Sequence, residues 1–351
     1  MFRVFLDIPT LAVPDMPASQ SLSSSKARFE EYVLRLLQID EARRKYSAQL
    51  FLPRGAEKTL FEASLYPLWD SLKLGLERSE LTENYEAKDI VAVVNGFLKQ
   101  LPRIEDTLGI EDALIEDAQI DPDEYLKEFL PVIADAHKQF LILVAVLFYT
   151  TARNKCGDYV VTDINEGGVV TTSIAGRIVD WALSEQSGCS KIALPLPIDD
   201  TISVCNGWQS IGFDLRSIDI WREATCRPEY EFAFSIYLMQ FCRNNGIAQG
   251  KGDWHIGTQF INSAYGQGFL NDKAKIERLL AKMAETVVGL NLPQTHQLRE
   301  DIGGSAHQKM RGKDAAWRRD LDYEFHLHYW KTIHGTEFAS VVIHNDFSIP
   351  S

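Results

Sequence analysis

Residues His307–Pro350 hold five of the chain's eight histidines and an Arg-Arg pair. His326 and His328 stand two apart in FHLHYW, and His344 lies beyond a glycine-bearing turn. Alternate residues of a strand share a face, so His326, His328 and Trp330 are predicted to point the same way. Imidazole gives and takes protons near neutral pH. Just upstream, Arg311, Lys313, Arg318 and Arg319 supply cations able to hold a phosphate. Together these types suit metal-independent RNA cleavage. His326, His328 and His344 would move the protons of the 2′-hydroxyl and the leaving oxygen, while Arg311, Arg318 and Arg319 would stabilise the phosphorane. Trp330 would stack on a base.

The element that must position these groups is a hairpin, Tyr323–Lys331 paired with Thr336–His344. A loop of Ile333, His334 and Gly335 sets Thr332 opposite Thr336 and Lys331 opposite Glu337, an opposite-charge cross-strand pair. Phe325, Leu327 and Tyr329 then share an apolar face with Ala339, Val341 and Ile343. The other face carries His326, His328, Trp330, Phe338, Ser340, Val342 and His344. A one-residue slip would split the apolar set, which favours this register.

A basic segment followed by an antiparallel hairpin with His and Arg resembles the small RelE-like toxin RNases, over about the last fifth of the chain. The resemblance implies an RNase-like effector of the toxin or phage-defence kind, working without a cofactor. Two other readings use the same residues. His326 and His328 with His344 form an H-x-H pair plus one, which could hold zinc with a fourth ligand. Alternatively, the face is covered and its histidines are structural, with the arginines paired to Asp314, Asp320 and Asp322.

The rest of the chain must carry this hairpin. MFRVFLDIPTL alternates like a strand and ends at Asp7. A carboxylate in that place resembles the first metal-binding Asp of PIN-type nucleases, although a turn-capping role is the commoner one. A serine-capped helix is predicted from Lys26 to Ser47, a short strand over Ala48–Leu52, and then helices over Ala56–Glu77, Glu86–Gln100, Ile104–Ala118 and Pro122–Asn154. Residues 104–128 are heavily acidic and read as a solvated helical surface, with docking of a protein partner as the functional alternative. GDYVVTDINEGGVVTTS suggests two strands around Glu166-Gly167-Gly168. Ile174–Ser187 has helical amphipathicity, Lys191–Leu196 is a short strand, Pro228–Asn244 a helix, residues 246–268 a glycine-rich loop, and Asn271–Gly289 a helix.

These elements predict an α+β protein: a mainly helical domain over residues 1–155, and a mixed domain over 156–351 ending in the histidine hairpin. An apolar fraction of 45% with 24% charged residues excludes global disorder. The net charge of −13 argues against non-specific coating of nucleic acid and leaves room only for a local cationic site. Cys156, Cys189, Cys205, Cys226 and Cys242 form no C-x-x-C pair, so reduced thiols are expected. The apolar run Phe140–Tyr149 is shorter than the ~20 residues a bilayer needs and reads as a core helix. No G-x-x-x-x-G-K-[ST], G-x-S-x-G or H-E-x-x-H pattern is present. The expectation is a cytoplasmic RNase-like protein that meets RNA and no membrane, the alternative being a non-catalytic subunit of a larger assembly.

Overall fold

The computed structural model describes residues 2–14, 22–46, 48–154, 157–164, 168–185, 187–248, 252–300 and 306–350. It is an α+β protein of 46% helix and 26% strand. The chain divides into two compact units, Met1–Asp214 and Leu215–Ser351. This boundary lies later than the one expected at residue 155, because three further strands complete the first unit's sheet.

That sheet is built from β1 (Arg3–Leu6), β2 (Gln49–Phe51), β3 (Ile110–Asp121), β4 (Asp158–Val161), β5 (Val169–Leu183) and β6 (Leu196–Cys205). Its spatial order is β2-β1-β4-β6-β5-β3, with β2, β1, β4 and β6 parallel to one another. β5 runs antiparallel to β6, and β3 antiparallel to β5. Every residue of β1 and β4 is buried, as a parallel strand covered on both faces requires. Helix Pro131–Thr150 contains the apolar run and packs on β3, β5 and β6. It is long and apolar enough to cross a membrane by length and composition, and 61% of its most apolar stretch is buried inside this fold. Phe140, Leu141, Val144 and Leu147 join Val160, Ile178, Ile202 and Val204 in the core.

Three sequence expectations for this unit are corrected. Within the acidic stretch Ile104–Leu108 is α-helical and Glu124–Glu128 a 3-10 turn, while between them the chain becomes β3, one of the sheet's two outer strands. Several of its carboxylates already have cations of this chain: Arg54 binds Asp106, and Arg177 binds Glu116 and Asp117. Charged side chains along a sheet edge discourage pairing with other chains. Residues Ile174–Leu183 are strand rather than helix, with Thr172, Ile174 and Ile178 buried at even positions. The strands expected to form a hairpin around Glu166-Gly167-Gly168 are separated by β6; of that turn, residues 165–167 lie outside the described residues.

The second unit holds a sheet of order β7-β12-β11-β10-β8, with β9 pairing β10. Its strands are β7 (Trp254–Ile256), β8 (Thr295–Gln297), β9 (Met310–Arg311), β10 (Asp314–Asp320), β11 (Phe325–Thr332) and β12 (Gly335–Ile343). β7 and helix Phe260–Gly266 arise within the stretch expected to be a glycine-rich loop. Helices Arg227–Asn244, Phe260–Gly266 and Lys273–Val288 cover one sheet face. There Phe338 meets Phe234 and Phe260, with ring centroids 5.6 and 6.1 Å apart, and Phe325 meets Phe269 at 5.3 Å.

The hairpin turn differs from expectation in an instructive way. Thr332 pairs with Gly335 across a two-residue turn, Ile333-His334. A bulge at Ala339 then restores the expected register over the histidine half, where His328 faces Ser340 and His326 faces Val342. Between turn and bulge the faces are exchanged, so Phe338 joins Tyr329 on the helix side and Ala339 joins Trp330 on the other. Gly335 is required at the turn: its φ is +119°, and a Cβ there would lie 2.0 Å from the Asp253 carbonyl oxygen.

Candidate functional site

Strand pairing alone assembles the site. Arg318 lies opposite His328 on β11 and opposite His296 on β8, while Asp320 lies opposite His326. Directly opposed residues in an antiparallel sheet share a face. One face therefore carries His296, Arg318, Asp320, His326, His328 and Ser340. His344 joins them beyond the end of β12, where its N–H donates to the Glu324 carbonyl at 2.8 Å.

The polar groups form a chain. His296 Nε2 lies 3.8 Å from Asp320 Oδ2, and Asp320 Oδ1 lies 3.1 Å from His326 Nε2. The His326 and His344 rings are 4.4 Å apart between centroids. His326 and His328 are fully buried, whereas His344 is exposed and the His296 side chain is 48% exposed. The site thus has a buried floor and an accessible rim. Burial pushes the His326 imidazole down to about 4, with the Arg318 charge acting in the same direction and Asp320 opposing it. Burial likewise lowers His328 to about 4, against the opposing effect of its hydrogen bond to the Ser348 carbonyl. Both rings are neutral at pH 7.

The floor contains an unusual concentration of polar atoms without protein partners. Neither nitrogen of His326, nor His328 Nε2, Ser340 Oγ or Arg318 Nε has a hydrogen-bond partner among the described residues. The Asp320 contact to His326 lies off the line a hydrogen bond needs. Buried polar groups are normally paired, so such a cluster is costly unless a bound polar group satisfies it.

The segment Asn345–Pro350 crosses this face. The carbonyls of Phe347, Ser348 and Pro350 accept from Lys309 Nζ, His328 Nδ1 and Trp330 Nε1, each at 2.8 Å. Phe347 and Ile349 pack on the small core of Leu298, Ala316, Trp330 and Ala339. Because His328 Nδ1 faces a carbonyl it carries the proton there, leaving Nε2 as the acceptor.

The sequence-predicted residues thus separate. His326, His328, His344 and Arg318 are brought together. Arg319 is not: it points to the helix side, 1% exposed, where it binds Glu285 Oε2 at 2.6 Å and the Leu290 carbonyl at 2.8 Å. Strand alternation requires this, since Arg318 and Arg319 are adjacent. Arg311 is occupied by Asp314 and Glu337 and stacks on Trp330, with its guanidinium 4.8 Å from the ring centroid. Trp330 is 3% exposed beneath the crossing segment and offers no open face for a base. The sequence reading missed His296 and the membership of Asp320. The nearest signal was THQL before the basic segment, a short polar alternation that names no pairing partner.

Asp7 has a different environment from that of a metal ligand. It is fully buried, accepts from the Ile8 N–H at 2.7 Å and the Thr162 hydroxyl at 2.9 Å, and contacts His137 Nδ1. Holding the proton on Nδ1 leaves His137 Nε2 to accept from the Tyr125 hydroxyl, 2.9 Å away. Burial raises the Tyr125 pKa, and the Asp7 charge adds to the rise. The carboxylate is satisfied within the fold. Among the described residues no three His, Cys, Asp or Glu side chains are arranged to hold a metal ion, at Asp7 or at the histidine face.

No family model, no curated protein and no solved structure matches this chain.

Proposed function

We propose that the histidine face of the second unit cleaves single-stranded RNA by acid and base chemistry, as an RNase-like effector. The observation that carries this reading is the cluster of partnerless polar atoms on Arg318, His326, His328 and Ser340, flanked by two accessible imidazoles. A tetrahedral phosphate supplies the acceptors that Arg318 Nε and Ser340 Oγ need. His296 and His344 sit on the rim, where exchange with solvent is open, and are the proton-transfer pair. One takes the 2′-hydroxyl proton as that oxygen attacks phosphorus; the other protonates the departing 5′-oxygen. His326 and His328, held neutral, form the polar floor. Asp320 lies between His296 and His326 and balances charge that develops on either.

This division modifies the role first expected of His326 and His328, because a strongly lowered pKa makes a poor base at pH 7. The overall charge of −13 is compatible with the reading, since only one local cation is asked to meet phosphate.

The experiment is cleavage of a labelled single-stranded RNA in EDTA by the unaltered chain and by His344→Ala, His296→Ala and Arg318→Ala. Loss of cleavage in folded variants supports the reading. Undiminished cleavage in all three overturns it.

A further inference from the structure

We infer that the first unit carries a separate small-molecule site for a neutral nucleoside. In an open α/β sheet, ligands bind in crevices outside the carboxyl ends of parallel strands. Here the carboxyl end of β1, beside β4, is filled by the bonded group of Asp7, Thr162 and His137. One strand further along, outside the ends of β4 and β6, a cleft of about 430 Å³ lies open between helix Leu22–Tyr46 and the segment Asn206–Ser210. That volume falls in the range of ~300–1,000 Å³ usual for small-molecule sites.

The floor is fixed before any ligand arrives. Arg35 is 4% exposed and lines the cleft, with Nη1 bonded to Asp163 Oδ1 at 2.8 Å and Asn206 Oδ1 at 2.6 Å. Its Nε is buried and has no partner among the described residues, so a donor is left over on a residue of the cleft lining. Gly207 lies against the Arg35 stem, where a Cβ would stand 3.4 Å from Cγ, at the edge of ordinary van der Waals contact. Asn206 directly follows β6 and Asp163 lies two residues beyond β4, so the strand ends aim the arginine.

The lining selects the ligand. Trp208 and Leu34 present apolar surface, Leu34 being 39% exposed, which suits a planar ring. Gln38 offers an amide that can both donate to and accept from a ring edge. Glu30 and Glu31 line the same cleft; Glu31 Oε1 already accepts from Asn206 Nδ2, so Glu30 and the second Glu31 oxygen are the acceptors left for sugar hydroxyls or an exocyclic amine. Their charges also repel phosphate, and Arg35 is already neutralised by Asp163. A nucleoside fits these groups, and its 5′-phosphate is disfavoured. No part of this inference rests on the histidine face.

The test is titration of the full chain with adenosine, guanosine, cytidine and uridine, and with the corresponding 5′-monophosphates, followed by tryptophan fluorescence and isothermal calorimetry. At least one nucleoside should bind saturably, at least tenfold tighter than its monophosphate. Trp208→Ala and Gln38→Ala should each weaken it by tenfold or more. Gln38 is only half-buried, so its variant keeps the test interpretable if Trp208→Ala unfolds. Absence of saturable nucleoside binding, tighter binding of the monophosphate, or unchanged binding in folded Gln38→Ala and Trp208→Ala each overturns the assignment.

Discussion

Acid should loosen the second unit at the histidine face. In the folded chain His326 and His328 titrate at about 4, and the ordinary value is 6.5. Between those values the unfolded chain binds more protons than the folded one, so stability rises with pH across that window. The contribution is fully present above about pH 6.5 and is lost as pH falls toward 4. At pH 5 the two-pKa expression gives a loss of ~2 kcal/mol per ring, on the order of 4 kcal/mol for both. For a unit of this size that corresponds to a fall in Tm of roughly 10 °C or more. The assay is thermal unfolding followed by tryptophan fluorescence at pH 7 and pH 5, with the same scans on a His326→Gln, His328→Gln double variant. The unaltered chain should lose stability on acidification, and the double variant should lose much less of it. Equal acid sensitivity of the two proteins, or an NMR titration placing both imidazoles near 6.5, would refute the burial account.

Other perturbations read other parts of the structure. Arg319→Met leaves Glu285 without its arginine in a nearly closed site and should cost about 3 kcal/mol in urea unfolding, with little effect on RNA cleavage measured in the folded state. Gly335→Ala forces a Cβ into the Asp253 carbonyl and should destabilise the β7–β12 end of the sheet by about 2 kcal/mol or more, read as faster amide exchange at Ile256 and Phe338. Phe347→Ser with Ile349→Ser removes the apolar anchors of the crossing segment. It should shift tryptophan emission to the red as Trp330 meets water, and raise the reactivity of His328 toward an imidazole-modifying reagent. Asp7→Asn should weaken the buried hold on His137 and lower the stability of the first unit by about 2 kcal/mol, measured by denaturant unfolding.

How much of this was legible in the sequence depended on whether a local period was unique. The histidine hairpin was readable because apolar and polar residues alternate on both strands. Its turn was misjudged because a bulge at Ala339 and a shorter loop give the same register over the histidines as a longer loop without a bulge. Ile110–Asp121 resembled a helix because its apolar residues are not strictly alternate. In the structure the register shifts more than once along this strand, and Asp117 sits at φ 54°, which breaks the period of two. In β5, Ile174, Ile178 and Trp181 satisfy helical spacing, yet Ile174 and Ile178 also satisfy strand spacing; pairing with β6 decides between them. β6 itself was hidden by Pro197 and Asp199-Asp200, tolerable because its parallel contact with β4 uses only Ser203–Cys205. The site was half legible for the same reason. Period two placed His326 and His328 together, but nothing local could say that Arg318 faces them while Arg319 faces Glu285, or that His296 pairs with Arg318 from a separate strand.

The most direct test of the central claim is a time course of single-stranded RNA cleavage in EDTA, with the 3′ product ends identified. The unaltered chain should cut and leave 2′,3′-cyclic phosphate ends, and folded His344→Ala and His296→Ala should each be slowed by about 100-fold or more. If neither the unaltered chain nor the Phe347→Ser, Ile349→Ser variant cuts RNA, or if the histidine variants cut at the unaltered rate, the proposed chemistry is wrong.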